Sequence, residues 1–441
     1  MGPVTGTAFG WITAAKAVLF FTLLMVIVGM LVLMERKLAG FIQDRSGPNR
    51  VGPWGLLQTL ADGLKFALKE ETLPDRANKT FFLLAPCMAL VPATILFAVI
   101  PFAAPLPTQW GLVEVIVADA PVGLLYVLAI ASLGVYGIVM AGWSSNSKYP
   151  FLGGLRGSAQ MISYEVGLAM SLVPLLLVAG DVRIPNIVAM QQTFEAGPDT
   201  VGLWMALPLL VSFFFFTVAG LAESNRIPFD LPEAEEELTA GYHTEYSAMK
   251  FGMFFLGEYA HMLTTAALIT VFFLGGWDIP FWAGDNIRVL SDGTVIGEPA
   301  AWKTLLTFGA FTLKTLLVVA VFMWIRWTLP RFRYDQLMDL GWKFFIPALM
   351  AYIMLIAGTI LGLESAGLQP GLVYGAVLFA VNLAAGGLLF FVLDRGRIIG
   401  GGAYRSTREG RQKRMWREAR ERAMAAAAGG SGGSGTGPEG G

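Results

Sequence analysis

The 441-residue chain has one cysteine, Cys87, and two histidines, His243 and His261. An iron–sulfur cluster, a zinc ribbon or an intrachain disulfide needs several such ligands, so the chain builds none of these alone. Charge is also scarce. Lys, Arg, Asp and Glu make up 14% of the residues against 55% hydrophobic, and the mean hydropathy is +0.61. Those values lie outside the soluble globular range and describe a membrane protein. No N-terminal stretch combines a basic region, a short apolar core and a small-residue cleavage site. The first apolar run is long enough to span and ends in Glu35-Arg36-Lys37, so it reads as a helix and not as a removed signal.

A bilayer core of ~30 Å needs about 20 mostly apolar residues in a helix. Nine runs qualify: roughly 13–34, 82–104, 122–142, 159–179, 203–222, 251–275, 305–327, 344–363 and 371–393. The expected fold class is therefore an all-α polytopic membrane protein of about nine transmembrane helices. Residues 1–399 form the membrane domain, and 400–441 a basic surface helix with a Gly/Ser tail. The loop 35–81 carries eight Lys/Arg, 143–158 two, 223–250 two, 328–343 three and the segment after 394 ten, while the intervening loops carry none to two. By the positive-inside rule the N-terminus faces outside and the C-terminus the cytoplasm.

Within the first charged loop, SGPNRVGP (46–53) has two Gly-Pro steps that stiffen the backbone. WGLLQTLADGLKFALK (54–69) then puts Leu57, Leu60, Ala61, Leu64 and Leu68 on one helical face and Gln58, Asp62, Lys65 and Lys69 on the other. It is too short to span and is expected to lie flat at the interface, its apolar face toward lipid or toward another membrane helix. The basic run 406–428 suits an anionic leaflet or a partner.

One loop breaks the charge rule. Residues 223–246, ESNRIPFDLPEAEEELTAGYHTEY, hold seven carboxylates and one arginine. Pro228 and Pro232 forbid a regular helix through the junction, and a helix is expected to start after Pro232 with Glu233, Glu236 and Glu237 on one face. Like charges at that spacing are destabilising unless cations, protonation or a partner compensates. A solvated acidic surface for a basic partner is one reading of the stretch. Two other features point to a proton relay: Glu165 lies inside the fourth run, and Glu258 with His261 inside the sixth. An ionisable group at bilayer depth costs about 2.5–3.5 kcal/mol to insert and usually marks an ion path. A structural carboxylate, paired with Lys314 of the seventh run for example, is the alternative.

AESNRIPFDLPEAEEELTAGYHTEY, ERKLAGFIQDRSGPNRVGPWGLLQTLADGLKFALKEE, ISYEVGLAM and FFLGEY resemble the H-subunit (mitochondrial subunit 1) family of proton-pumping NADH:quinone oxidoreductase, respiratory complex I, over about residues 11–393. The resemblance implies a bacterial inner-membrane subunit that contacts the peripheral arm, encloses much of the ubiquinone tunnel and begins a chain of buried charges. It assigns Glu35, Arg36, Arg45 and Asp62 to the quinone entrance and tunnel. To the acidic proton-transfer or coupling path it assigns Glu165, Glu223, Asp230, Glu233, Glu235, Glu237, Glu245 and Glu258. Glu236 is left out, because an acid is not expected at that place of the motif. The resemblance further implies no cofactor on this chain, a quinone substrate, and FMN and iron–sulfur clusters in partner subunits. The expected partners are peripheral-arm quinone-site subunits, small membrane subunits and lipids, with no nucleic acid and no metal site. A homologous subunit of a membrane-bound hydrogenase or formate hydrogenlyase, or a stand-alone proton or cation transporter, is the alternative.

Overall fold

A computed structural model describes residues 7–192, 201–233, 239–289, 295–368, 370–394 and 415–416. The longer helices are α1 (Thr7–Ile42), α2 (Gln58–Leu68), α3 (Lys79–Ile95), α4 (Gly123–Ser144), α5 (Lys148–Ala179), α6 (Ile184–Met190), α7 (Leu210–Glu223), α8 (Ala248–Phe273), α9 (Ala301–Thr328), α10 (Tyr334–Asp339), α11 (Ile346–Ser365) and α12 (Leu372–Asp394). A π-helical stretch, Leu340–Phe345, joins α10 to α11. Sheet is limited to two small antiparallel ladders, Leu106–Thr108 with Gly111–Val113 and Arg288–Val289 with Val295–Ile296.

Among the described residues eight helices are long and apolar enough to cross a membrane, and α7 is a shorter apolar helix of 14 residues. Eight of the nine apolar runs thus become such helices. The run 203–222 becomes α7 only from Leu210, because turns that include Pro208 occupy its first residues. The fourth run behaves in the opposite way. Its helix starts at Lys148 and takes in Arg156, residues expected in a loop. The boundary expected at 399/400 lies outside the described residues. Residues 1–389 form one compact unit and 390–441 a second.

Helix α8 is the hub of the first unit, touching α1, α2, α3, α7 and α9, and α5 packs on α4, α7 and α11. Lipid tails are as apolar as leucine, so close van der Waals contact and hydrogen bonds, more than expulsion of water, hold such helices together. Small residues permit that contact. A Cβ on Gly154 would stand 3.3 Å from Gly142 Cα, where α5 meets α4, and one on Gly153 would stand 2.7 Å from the Tyr242 nitrogen. The acidic loop therefore rests directly on the α5 backbone. Behind it, Phe82 stacks on Tyr246 with ring centroids 4.0 Å apart. Phe254 and Met161 complete this buried cluster.

Candidate functional site

The first polar loop folds tightly onto the end of α1. Trp54 (φ 54°), Gly52 (φ 71°) and Gly55 (φ 77°) take left-handed conformations around a 3₁₀ turn at Pro53–Gly55. A Cβ on Gly55 would overlap the Pro48 carbonyl. The helix that follows runs only over Gln58–Leu68, shorter than the expected 54–69. Its leucines are exposed, Leu60 by 70% and Leu68 by 78%. The opposite edge, Thr59, Asp62, Gly63 and Phe66, faces α1 and α8 across an apolar cavity of about 250 Å³.

Arg36 and Phe255 line that cavity and also a larger chamber of about 670 Å³. The chamber is bounded by Glu35, Arg45, Arg50, Tyr259 and Arg326. Arg36 Nη1 donates to Asp62 Oδ2 at 2.5 Å, Gln58 holds the other oxygen of Asp62 at 3.0 Å, and Arg45 Nε donates to Gln43 at 2.6 Å. The structure thus brings Glu35, Arg36, Arg45 and Asp62 around two adjoining spaces, one apolar and one charged.

Glu35 is the inner wall of the chamber. Its Oε2 accepts from Arg226 Nη1 at 2.6 Å and from the Tyr259 hydroxyl at 2.7 Å, and its Oε1 accepts from Arg326. Arg226 reaches further. Its Nε lies 2.6 Å from Glu258 Oε1, and its guanidinium carbon sits 4.0 Å over the Tyr259 ring. Burial opposes the charge on Arg226, but Glu258, Tyr259 and Glu35 outweigh it and raise its pKa further. A fully buried cation flanked by two carboxylates keeps its charge.

Beyond Glu258 lies a small cavity of about 50 Å³ lined by Glu223, Glu233, Tyr242, Glu258 and His261. Glu233 Oε1 lies 3.3 Å from His243 Nε2. Burial works against the Glu233 carboxylate, but the hydrogen bond and positive charge of His243, helped by Arg226 and Arg326, hold it below the usual carboxylate range. Burial likewise opposes a charged His243, and the same bond, with Glu258 and Asp230 adding charge, raises it above the ordinary value. His261 Nε2 is 3.6 Å from Glu223 Oε1. Glu165, half-buried on α5, has Glu223 as its charged neighbour.

Not every expected residue joins this line. Asp230 is held by Arg331 at 2.9 Å. Glu245 is half-buried in the turn after Gly241–His243 and lines neither the chamber nor the small cavity. Glu235, Glu236 and Glu237, with the helix expected after Pro232, lie outside the described residues. The expected pairing of an intramembrane carboxylate, Glu165 or Glu258, with Lys314 is not found among the described residues. Lys314 Nζ donates to the carbonyls of Leu274, Gly276 and Asp278 at 2.7, 3.1 and 2.6 Å and lies 4.0 Å over Trp204. These carbonyls belong to the turn just beyond the C-terminus of α8, the negative end of its dipole, so they satisfy the lysine locally. Sequence reasoning missed Arg226, Tyr259, His243, Arg326 and Arg331 as site residues. Tyr259 follows Glu258 in FFLGEY and was within reach of a motif argument, whereas each of the three arginines meets a carboxylate about 100 or more residues away.

Residues 15–357 match the NADH dehydrogenase family. The chain is 47% identical over 350 residues to an NADH-quinone oxidoreductase H-subunit of Geobacter sulfurreducens, an overlap of 79% of this chain and 96% of that protein. It is 46% identical over 351 residues to the NADH-quinone oxidoreductase H-subunit of Rhodospirillum centenum, covering 80% and 94%. With the corresponding protein of Paramagnetospirillum magneticum the figures are 47% over 337 residues, 76% and 89%.

Proposed function

Since the chain belongs to the NADH dehydrogenase family, as a membrane-embedded H-subunit of NADH-quinone oxidoreductase, we propose that its two adjoining spaces take quinone and that its buried charges link quinone reduction to proton movement. The apolar cavity between α1, α2 and α8 suits an isoprenoid tail, and the charged chamber beyond it suits the headgroup path. Arg36, Arg45, Asp62 and Glu35 are the quinone-facing residues. Glu258, Glu233, Glu223 and Glu165 form the acidic path, and Asp230, Glu235, Glu237 and Glu245 act on it as coupling residues of the acidic loop.

One observation carries this reading: a single buried guanidinium, Arg226, holds Glu35 on the chamber side and Glu258 on the cavity side. A negative charge that develops on a quinone in the chamber competes for Arg226 and Arg326, and the loosened Glu258 then favours a proton. The chain supplies binding, orientation and proton handling. FMN and iron–sulfur clusters are assigned to partner subunits, and with one cysteine this chain has no thiolate set for a cluster. Peripheral-arm subunits provide the headgroup donors, and small membrane subunits continue the proton path. We place the protein in the bacterial inner membrane, multi-pass, with the N-terminus outside and the C-terminus cytoplasmic.

Glu165→Gln, Glu223→Gln and Glu237→Gln keep size and hydrogen bonding while removing charge. In an assembled complex each is expected to lower NADH:quinone reductase activity and proton pumping, whereas Glu195→Gln, in an outside loop, leaves both intact. Full activity and pumping in all three variants would reduce the acidic stretch to a docking surface.

A further inference from the structure

The proposed path has a gap between Glu258 and Glu223. Arg226 does not fill it, because a guanidinium flanked by carboxylates stays protonated and passes no proton on. The two carboxylates face a shared cavity of about 50 Å³, room for about one or two waters at roughly 30 Å³ each. From α3, α4 and α5 only uncharged side chains enter it. The titratable groups around it are Glu223 from α7, Glu258 and His261 from α8, and Glu233 and Tyr242 from the acidic loop.

His261 lies three residues after Glu258 on α8, so both present to the same side of the helix. Its Nε2 is buried and, among the described residues, makes no hydrogen bond. The atom nearest in kind is Glu223 Oε1, 3.6 Å away. That separation is too long for a hydrogen bond and too short to admit a water between them. A ring movement of about half an ångström closes it. A buried nitrogen next to a carboxylate without a bond is a costly arrangement for a residue that only fills space, where Leu or Met would pack without an orphaned polar atom.

We propose that His261 is a proton-relay residue that exchanges a proton between its Nε2 and Glu223 and connects Glu223, through the cavity water, to Glu258. In the step, the Glu223 O–H bond breaks as the Nε2–H bond forms, leaving carboxylate and imidazolium. The imidazolium's other N–H bond then breaks as the cavity water takes that proton and passes one of its own to the Glu258 carboxylate, which leaves a neutral imidazole and a protonated Glu258. Imidazole can accept at one nitrogen and release at the other. The inference rests on the acidic-path reading above and adds to it a residue that the carboxylate line alone does not contain.

The test uses the whole complex, purified and reconstituted in liposomes, with His261→Asn, His261→Gln, Glu223→Gln and the double variant His261→Asn/Glu223→Gln. NADH:ferricyanide activity verifies assembly. Both His261 variants are expected to lower quinone turnover and pumping by about tenfold, less than the roughly 10²–10⁴ of a full acid–base catalyst because water can partly replace the ring. The quinone KM should stay unchanged, the solvent deuterium isotope effect should rise, and the double variant should be no worse than Glu223→Gln alone. A space-filling role would move neither the isotope effect nor the ratio of turnover to KM. Wild-type turnover in both His261 variants beside an impaired Glu223→Gln overturns the relay and leaves the acidic path standing. Wild-type turnover in Glu223→Gln as well overturns both. Failure of both His261 variants to assemble makes the residue structural and also overturns the relay.

Discussion

Arg226 Nε lies 2.6 Å from Glu258 Oε1, and the same guanidinium donates from Nη1 to Glu35 at 2.6 Å. Its side chain is only 2% exposed, so neither carboxylate can substitute water for it. Arg226→Met leaves Glu258 without this cation and Glu35 with Arg326 and Tyr259. Breaking a buried ion pair from one side costs about 3–5 kcal/mol, so the variant should assemble poorly. Arg226→Lys keeps charge but has one nitrogen where two are used. It should assemble and lose quinone-coupled turnover. Quantifying assembled complex and quinone reductase activity in the two variants separates these outcomes.

The Arg36–Asp62 pair is different in kind. With side chains 45% and 25% exposed it is worth about 0–1 kcal/mol to the fold. Arg36→Met is therefore expected to leave the melting temperature and NADH:ferricyanide activity unchanged while raising the apparent quinone KM. An equal loss of both activities would make Arg36 structural.

Gly241 (φ 56°) closes the acidic loop against Pro232, and a Cβ there would overlap the Pro232 carbonyl oxygen. Gly241→Ala should displace Tyr242 and the Glu233–His243 pair and reduce assembly. Gly309→Ala and Gly358→Ala, in α9 and α11 with open space around the added Cβ, should be tolerated. Expression levels and thermal inactivation of the three variants provide the comparison.

The Glu233–His243 pair also sets a pH window. His243 is raised above its ordinary 6.5, so its contribution is fully present below that value and is lost as pH rises through the folded pKa. Glu233 is lowered from 4.5, so its contribution is present above that value and is lost as pH falls through the folded pKa. Loop anchoring is therefore strongest between about 4.5 and about 6.5 and weakens on either side. Limited proteolysis of the complex against pH should show the loop released on the alkaline side. His243→Gln should abolish that alkaline dependence.

Sequence resolved this protein unevenly, for physical reasons. The membrane helices were legible because ~20 apolar residues have few other fates. The missed details are tertiary: Pro208 shortens α7, and close glycine packing lets α5 continue below the apolar run. The amphipathic pattern of 54–69 left its leucine face toward lipid or toward another helix; the structure turns those leucines outward and puts Asp62 on the cavity edge, a place only the family motif pointed to. Glu223 and Glu258 were recognisable as unusual acids, and Glu35 through the family motif. The cations of Glu35 were not, since Arg226 and Arg326 are 191 and 291 residues from it. Lys314 misled for a related reason: backbone carbonyls are acceptors in every sequence and carry no residue signature.

The exposed leucines of α2 determine how a ligand's supply is to be counted. The 11-residue α2, lying along α1 and α8, walls one side of the apolar cavity and turns its leucines outward. A hydrophobic substrate that arrives from the surrounding lipid searches a plane and not a volume, so its effective concentration is its mole fraction in the leaflet. Diluting the bilayer with added phospholipid, at constant total quinone and protein, should then slow turnover as strongly as withdrawing quinone does. Enlarging the aqueous volume around the same vesicles should leave it unchanged.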